Sequence, residues 1–370
     1  MFASGRYNVA MCQPRCAIVF LPNWVGDVVM ATPTLRTLRA QWPETEIVYF
    51  GRPIALATLA GTDWADGTIA DESHKRPCVV HFFRTLANLR GRKLDMALLL
   101  PNSFRTAALA RLAGITRIAG YDRDGRGWML TDKCTPERNE KGGFVPVPTI
   151  DYYIRLAETI GVTVNSRQME LPVEADEERA AEQMLAEAGM DRRRPVVMLN
   201  PGASFGPSKL WPAERYAVLA DTLAQRDRAQ IIINAAPSEK PIAAEVQRHM
   251  REKPLVSFAE RDNRLGLLKS LLRRCDVLVT NDTGARHIAC AMGIGVVTLF
   301  GSTDPVWAQI DYPRERIVRA DVPCSPCQKK QCPNPPGPTR HQCMLAIEPE
   351  RVLHATESLL GERKEAGDAS

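Results

Sequence analysis

Short apolar runs alternate with segments whose apolar positions recur at three- and four-residue spacing along nearly the whole chain. The runs at 17–21, 47–50, 96–100 and 117–119 read as strands, with helices predicted over 28–41, 54–60, 80–90 and 106–112. A helix over 149–160 closes this first half. The next segment, 161–175, is polar, contains Pro172 and has no period, so it reads as a linker. After a helix over 177–188 the alternation restarts, with strands at 196–200, 231–234, 255–257, 277–280 and 296–300. Helices over 213–225, 240–251, 265–274 and 285–292 fall between them. Alternation of this kind builds βαβ units around a mostly parallel sheet, so the fold class is α/β, repeated in tandem. The expected domains are 1–165 and 176–347, followed by a C-terminal helix and a frayed polar tail over 348–370.

Length agrees with two domains, because a single core rarely grows past about 250 residues and this chain has 370. A hydrophobic share of 45% and a charged share of 25% are those of an ordinary globular protein. The net charge of +5 favours anionic ligands or a negative lipid surface, and is too small to demand nucleic acid. No apolar stretch reaches the roughly 18 residues of a membrane span. Residues 1–15 lack the apolar centre of a secretory signal, so a cytoplasmic protein is expected.

Candidate chemistry lies just past the strands, where open α/β sheets bind ligands. The first strand runs into Leu21-Pro22-Asn23-Trp24-Val25-Gly26-Asp27, which places a carboxylate at a helix start beside the sheet mouth. There Asp27 is well set to accept a proton. After the strand 196–200 comes a loop with Gly202, Ser204, Gly206, Ser208 and Lys209, closed by Trp211 and Pro212. Its glycines, hydroxyls and lysine suit a phosphate cradle, although an ordinary Gly-Pro turn has the same composition. The sequence Asn281-Asp282-Thr283-Gly284 follows the strand 277–280 and opens a helix that carries His287 one turn on. Asp282 or Thr283 would serve equally as a plain helix cap. The turn Gly301-Ser302-Thr303-Asp304 borders the same crevice. In the first half, Asn102, Arg105, Arg123 and Arg126, with Arg52 and Arg84 in support, could meet an anionic partner, or could be ordinary solvated arginines.

These segments, in order from about residue 18 to 302, resemble glycosyltransferase family 9, the bacterial lipopolysaccharide heptosyltransferases, with the heptosyltransferase II branch nearest in pattern. The matching pieces are Trp24-Val25-Gly26-Asp27, Leu100-Pro101-Asn102-Ser103-Phe104 with Ala113-Gly114-Ile115, Pro201-Gly202-Ala203 through Lys209-Leu210-Trp211-Pro212, and Asn281-Asp282-Thr283-Gly284 with His287. The resemblance implies a GT-B fold of two Rossmann-like domains. It also implies inverting transfer of L-glycero-D-manno-heptose from ADP-heptose to the phosphorylated inner core, heptosyl-Kdo2-lipid A, with no metal or cofactor. Asp27 would then be the general base. Ser204, Lys209, Thr283 and Gly284 would hold the diphosphate, while Asp282 and His287 would face the donor sugar and nucleotide. By position, Glu239 would take the ribose hydroxyls. Asn102, Arg105, Arg123 and Arg126 would bind the acceptor. Peripheral docking on the inner face of the cytoplasmic membrane, without a transmembrane segment, completes that expectation.

Three other readings share part of the pattern. A two-domain binding protein for a nucleotide or sugar phosphate has the same architecture, but no need for an unpaired carboxylate at Asp27. A family 9 transferase with a different sugar donor is compatible with every motif. A nicotinamide-dependent dehydrogenase fits the alternation, yet the first turn lacks G-x-G-x-x-G.

Of the ten cysteines, Cys16, Cys275 and Cys290 lie in apolar runs and read as core residues, while Cys12, Cys78 and Cys134 fall in irregular segments. The other four form the pattern Cys324-x2-Cys327-x4-Cys332-x10-Cys343, with His341 nearby. A zinc or iron–sulfur site could use that spacing. The segment is rich in proline and its second pair lacks C-x-x-C, so free thiols are the expectation; a metal there would staple a loop, not catalyse.

Overall fold

The computed structural model describes residues 13–73 and 78–368, with side chains as far as Glu362. Residue Cys12, most of the segment read for a signal, and the last two residues of the tail lie outside these. The chain divides into two compact units. The first comprises residues 1–23, 31–56 and 62–167; the second comprises 168–370 together with 24–30 and 57–61.

The first unit holds a parallel sheet of β1 (Cys16–Phe20), β2 (Glu46–Gly51), β3 (Gly67–Ala70), β4 (Met96–Leu99), β5 (Arg117–Tyr121) and β6 (Asp132–Cys134), in the order β3-β2-β1-β4-β5-β6. The second is built from β7 (Val196–Asn200), β8 (Gln230–Ile233), β9 (Val256–Ser257), β10 (Val277–Asn281), β11 (Gly295–Phe300) and β12 (Glu315–Arg319), in the order β12-β11-β10-β7-β8-β9. Numbered within its own unit and read from the other edge, the second order repeats the first. Both are doubly wound α/β sheets of the dinucleotide-binding type. In each, the strand order reverses beside the first strand, between β1 and β4 and between β7 and β10.

Every residue of β1, β4, β7, β10 and β11 is buried, which is why these strands read as unbroken apolar runs. The first core gathers Ile18, Phe20, Val48, Leu99, Leu109 and Ile118. Three strands absent from the sequence expectation, β3, β6 and β12, are all at sheet edges and partly exposed. Two helix expectations also change. The helix expected over 28–41 is two, Val25–Met30 and Thr32–Gln41, broken at Ala31 ahead of Pro33. The tail expected to fray from residue 361 is helical as far as Asp368 within the helix Pro349–Asp368. Residues 161–174 form no helix or strand.

Candidate active site

The Lys209 and Asp282 motifs emerge at the carboxyl ends of β7 and β10, where the sheet order reverses, while Glu239 follows β8 and the 301–304 turn follows β11. The Lys209 loop leaves β7, and Asp282 follows β10 directly. Lys209 Nζ lies 2.6 Å from Asp282 Oδ2 and donates a second bond to the Asp282 carbonyl at 2.8 Å. Thr303 Oγ1 donates to the same carboxylate oxygen at 2.9 Å, and Arg286 Nη1 approaches the other at 3.7 Å. Burial alone would push the Asp282 carboxyl up, but the charges of Lys209 and Arg286 hold it below the ordinary carboxylate range. Arg286 is fully buried and is held by Glu315 at 2.6 Å, which also accepts from Thr298. The Lys209 ammonium also stands 4.8 Å from the centre of the Phe205 ring.

The helix Val25–Met30, which carries Asp27, packs against the helix Gly284–Ala291 within the second unit. Glycine permits the approach on both sides. A Cβ on Gly26 would fall 2.7 Å from His287 Cδ2, and one on Gly284 would fall 2.9 Å from Val25 Cβ. Asp27 is thereby brought beside the Asp282–Lys209 pair. Burial, reinforced by the negative Asp282 and only partly offset by Lys209, raises its pKa to about 6. That is a carboxylate poised to take a proton near neutral pH.

His287 is buried behind Gly26, and its pKa is pushed down to about 3, mainly by that burial. It is therefore a neutral imidazole, and its Nδ1 has no hydrogen-bond partner. Thr283 occupies the helix N-cap position but makes no side-chain cap bond, so the capping alternative does not hold for it. Its hydroxyl instead meets Asn200 Nδ2 at 3.3 Å and Thr280 Oγ1 at 3.2 Å. The amides that open the helix Gly284–Ala291 are left without that cap. Glu239 lies over Gly202, with Ser204 Oγ at 3.4 Å from its Oε1. Ser204 and Glu239 are thus neighbours at the mouth of β7.

The first-unit candidates take different parts. Arg126 is fully buried and donates to the carbonyls of Tyr121 (3.1 Å), Pro101 (2.6 Å) and Ser103 (3.3 Å) and to Asn102 Oδ1 (3.0 Å). The Asn102 oxygen accepts from Tyr152 as well. Arg105 makes a two-pronged pair with Asp71 at 2.8 and 3.0 Å. Arg123 stacks on Phe144, 4.1 Å from its centroid, beside Asp124. Arg126 and Asn102 therefore hold the loop after β4 in shape, whereas Arg123 keeps a partly exposed cation. Arg126→Met is expected to cost about 3 kcal/mol in urea unfolding, because buried carbonyls lose charged donors. Arg123→Glu should cost less, about 1 kcal/mol, because it forfeits the Phe144 stacking and a partly exposed pair with Asp124. Equal stability losses in the two variants would contradict this division.

Sequence reasoning gave no role to Arg286 or Glu315 and left Thr303 as a turn residue. Arg286 is four residues past Asp282 on one helix face, which is the available signal for that pair.

The model of glycosyltransferase family 9 (heptosyltransferase) matches residues 82–337, and the chain belongs to that family. It is a glycosyltransferase. Among curated relatives it is similar to lipopolysaccharide heptosyltransferase 2 of Salmonella typhimurium, 26% identical over 355 residues, covering 93% of this chain and 98% of the relative. Among solved structures it is similar to ADP-heptose lipopolysaccharide heptosyltransferase II of E. coli, 25% identical with a TM-score of 0.75, covering 94% and 99% of the two chains. The family 9 glycosyl transferase of Veillonella parvula, 22% identical, shares the fold with a TM-score of 0.79 over 96% and 99%. The fold is GT-B, as the resemblance implied.

Proposed function

We propose that this chain transfers L-glycero-D-manno-heptose from ADP-heptose to a heptosyl-Kdo2-lipid A inner core, with inversion. The observation that carries the reading is a carboxylate, Asp27, with its pKa raised to about 6, lodged against a buried Asp282–Lys209 pair at a sheet switch point. Asp27 takes the proton of the acceptor hydroxyl as its oxygen attacks the anomeric carbon of the donor sugar. The bond from that carbon to the ADP oxygen breaks, and ADP leaves with the electron pair. Lys209 and the amides opening the helix Gly284–Ala291 face the growing negative charge. With these groups supplying positive charge, the step asks for no metal or cofactor. Ser204 adds a donor to the diphosphate, and Asp282 accepts from hydroxyls of the sugar. Glu239, beside Ser204, takes the ribose hydroxyls. His287, neutral and buried, backs the Asp27 helix and shapes the donor pocket.

Arg123 and Arg105 give the acceptor's anionic groups their counter-charge, the latter sharing its charge with Asp71. No helix among the described residues is long and apolar enough to cross a membrane. On this reading the lipid acceptor is met by peripheral contact at the inner face of the cytoplasmic membrane, its anionic groups drawing the partly exposed arginines. Thermal-shift measurements with ADP-, UDP- and GDP-linked sugars test the donor assignment. A ligand held at about 100 times its Kd stabilises the native state by about 2.7 kcal/mol. ADP-heptose should produce such a shift, and a larger shift with a UDP or GDP sugar would reject the donor assignment.

A further inference from the structure

The segment from Val322 to Cys343 takes no part in the transfer chemistry, and among its described residues no side chain between those two is buried. Apolar burial therefore cannot hold it in one conformation against chain entropy. It is nevertheless tied to the Lys209 loop. Ser208 Oγ donates to the Lys329 carbonyl at 2.6 Å, and Ser208 N–H donates to the Lys330 carbonyl at 3.2 Å. The Ser208 and Ser302 hydroxyls are 3.0 Å apart, while Gln328 N–H reaches the Ser302 carbonyl at 2.7 Å. Ser325 Oγ donates to the Gly301 carbonyl at 2.7 Å. Gly206, at φ 150°, lies directly against the Lys330 carbonyl, where a side chain has no room. This strap thus underpins the loop that aims Lys209 at Asp282.

Its four cysteines are all free of disulfides. Cys343 is buried at the short helix Gln342–Leu345, and Cys324, Cys327 and Cys332 are all close enough for their charges to act on its sulfur. The strap also turns its donors toward sulfur. His341 N–H donates to Cys332 Sγ at 3.3 Å, and Asn334 Nδ2 lies 3.9 Å from Cys324 Sγ. Gln328, directly after Cys327, and His341, two residues before Cys343, both adopt left-handed backbone with φ 57°. These turns reverse the strap next to Cys327 and Cys343. N–H donors of this kind favour thiolate and accompany metal-bound sulfur. Among the described residues, the only group of three ligand atoms within 4.8 Å of one another is that of Glu214, Glu245 and His249. The sulfurs are therefore near, but not at, the separations of a closed site, and a cation would draw them in as it orders the strap.

We propose that Cys324, Cys327, Cys332 and Cys343 bind one Zn2+ or Fe2+ as a tetrahedral tetrathiolate staple that braces the Lys209 loop. On binding, the four thiols release their protons to solvent and each sulfur supplies an electron pair to the cation; no electron is transferred. The inference stands whichever sugar is transferred. The test uses the untagged full chain, produced with both metals present and purified under reducing, oxygen-free conditions. Elemental analysis should find about one equivalent of Zn2+ or Fe2+ per chain, surviving gel filtration. The element found distinguishes the two metals. Displacing the metal with a thiol-directed mercurial, removing the mercurial with excess thiol and adding Co2+ alone should produce the intense visible bands of tetrahedral cobalt thiolate. The double variant Cys324→Ser, Cys332→Ser, altered at two sites that are not buried, should lose the metal and the cobalt bands. Trypsin should then cut it after Lys329 or Lys330 at least about ten-fold faster, as expected of a locally released segment. Only trace metal, together with no cobalt bands from a reduced chain that still unfolds cooperatively, would overturn the proposal.

Discussion

Asp27→Asn should make this protein more stable while removing most of its transferase activity. The carboxyl is raised from 3.8 to about 6 in the folded chain, mainly because burial penalises its charged form. Below pH about 4 it is protonated in both folded and unfolded states, and its charge costs nothing. Between about 4 and 6 the unfolded chain has released the proton that the folded chain still holds, so stability falls as pH rises. Above about 6 the full penalty stands, roughly 2–3 kcal/mol at about 1.4 kcal/mol per pH unit. Asparagine has no charge to bury. The variant should therefore melt higher by about 3 °C at pH 7.5, with the gain shrinking toward pH 4. Sugar transfer should fall by at least about 100-fold, the usual worth of a general base. The wild-type kcat/KM should lose activity on the acid side with a midpoint near 6. A variant that transfers at the wild-type rate, or that melts lower at pH 7.5, would remove Asp27 from its assigned role.

The strands that carry the site were legible because they are buried on both faces. Val277–Asn281 and Val196–Asn200 have no solvent side, so nothing interrupts their apolar runs. Edge strands lack that signature. Glu315–Arg319 sets only Ile317 and Val318 among three charged residues, and it pairs on one side only. Missing that strand hid Glu315 and hence the buried partner that fixes Arg286. The break at Ala31 was equally hard to see, since Val28, Val29, Leu35 and Leu38 keep a continuous helical apolar pattern through it. Arg126 shows a second limit. In sequence it reads as an acceptor contact or an ordinary solvated arginine, whereas its burial depends on acceptors from Pro101, Asn102, Ser103 and Tyr121. Local composition carries no record of such a meeting. Asp27, Lys209 and Asp282 could be found because each directly extends a strand-end motif, yet their mutual shifts depend on distances that only the fold supplies.

Those shifts make Lys209 the second critical position. Lys209→Met leaves the Asp282 carboxylate buried, with Arg286 at 3.7 Å and Thr303 as its remaining partners, beside another acid. Breaking a buried pair from one side is expected to cost about 3 kcal/mol, because the surviving charge has lost most of its compensation. Adding Asp282→Asn removes that stranded charge, so the double variant should regain most of the lost stability and unfold closer to the wild type. Transfer should not return in either, since the leaving diphosphate has lost its cation. The single variant also bears on Asp27. Lys209 lowers the pKa of that carboxyl, so its removal should move the acid limb of any residual activity above 6. Asp282→Asn should move the limb the other way, because the negative neighbour that helps raise Asp27 is then gone. A double-mutant cycle in urea, with pH profiles of the two single variants, measures both consequences. Additive stability losses would mean that Lys209 and Asp282 do not act as a buried pair. Acid limbs that stay in place would mean that neither group reaches Asp27, and the shared electrostatics of the site would then have to be abandoned.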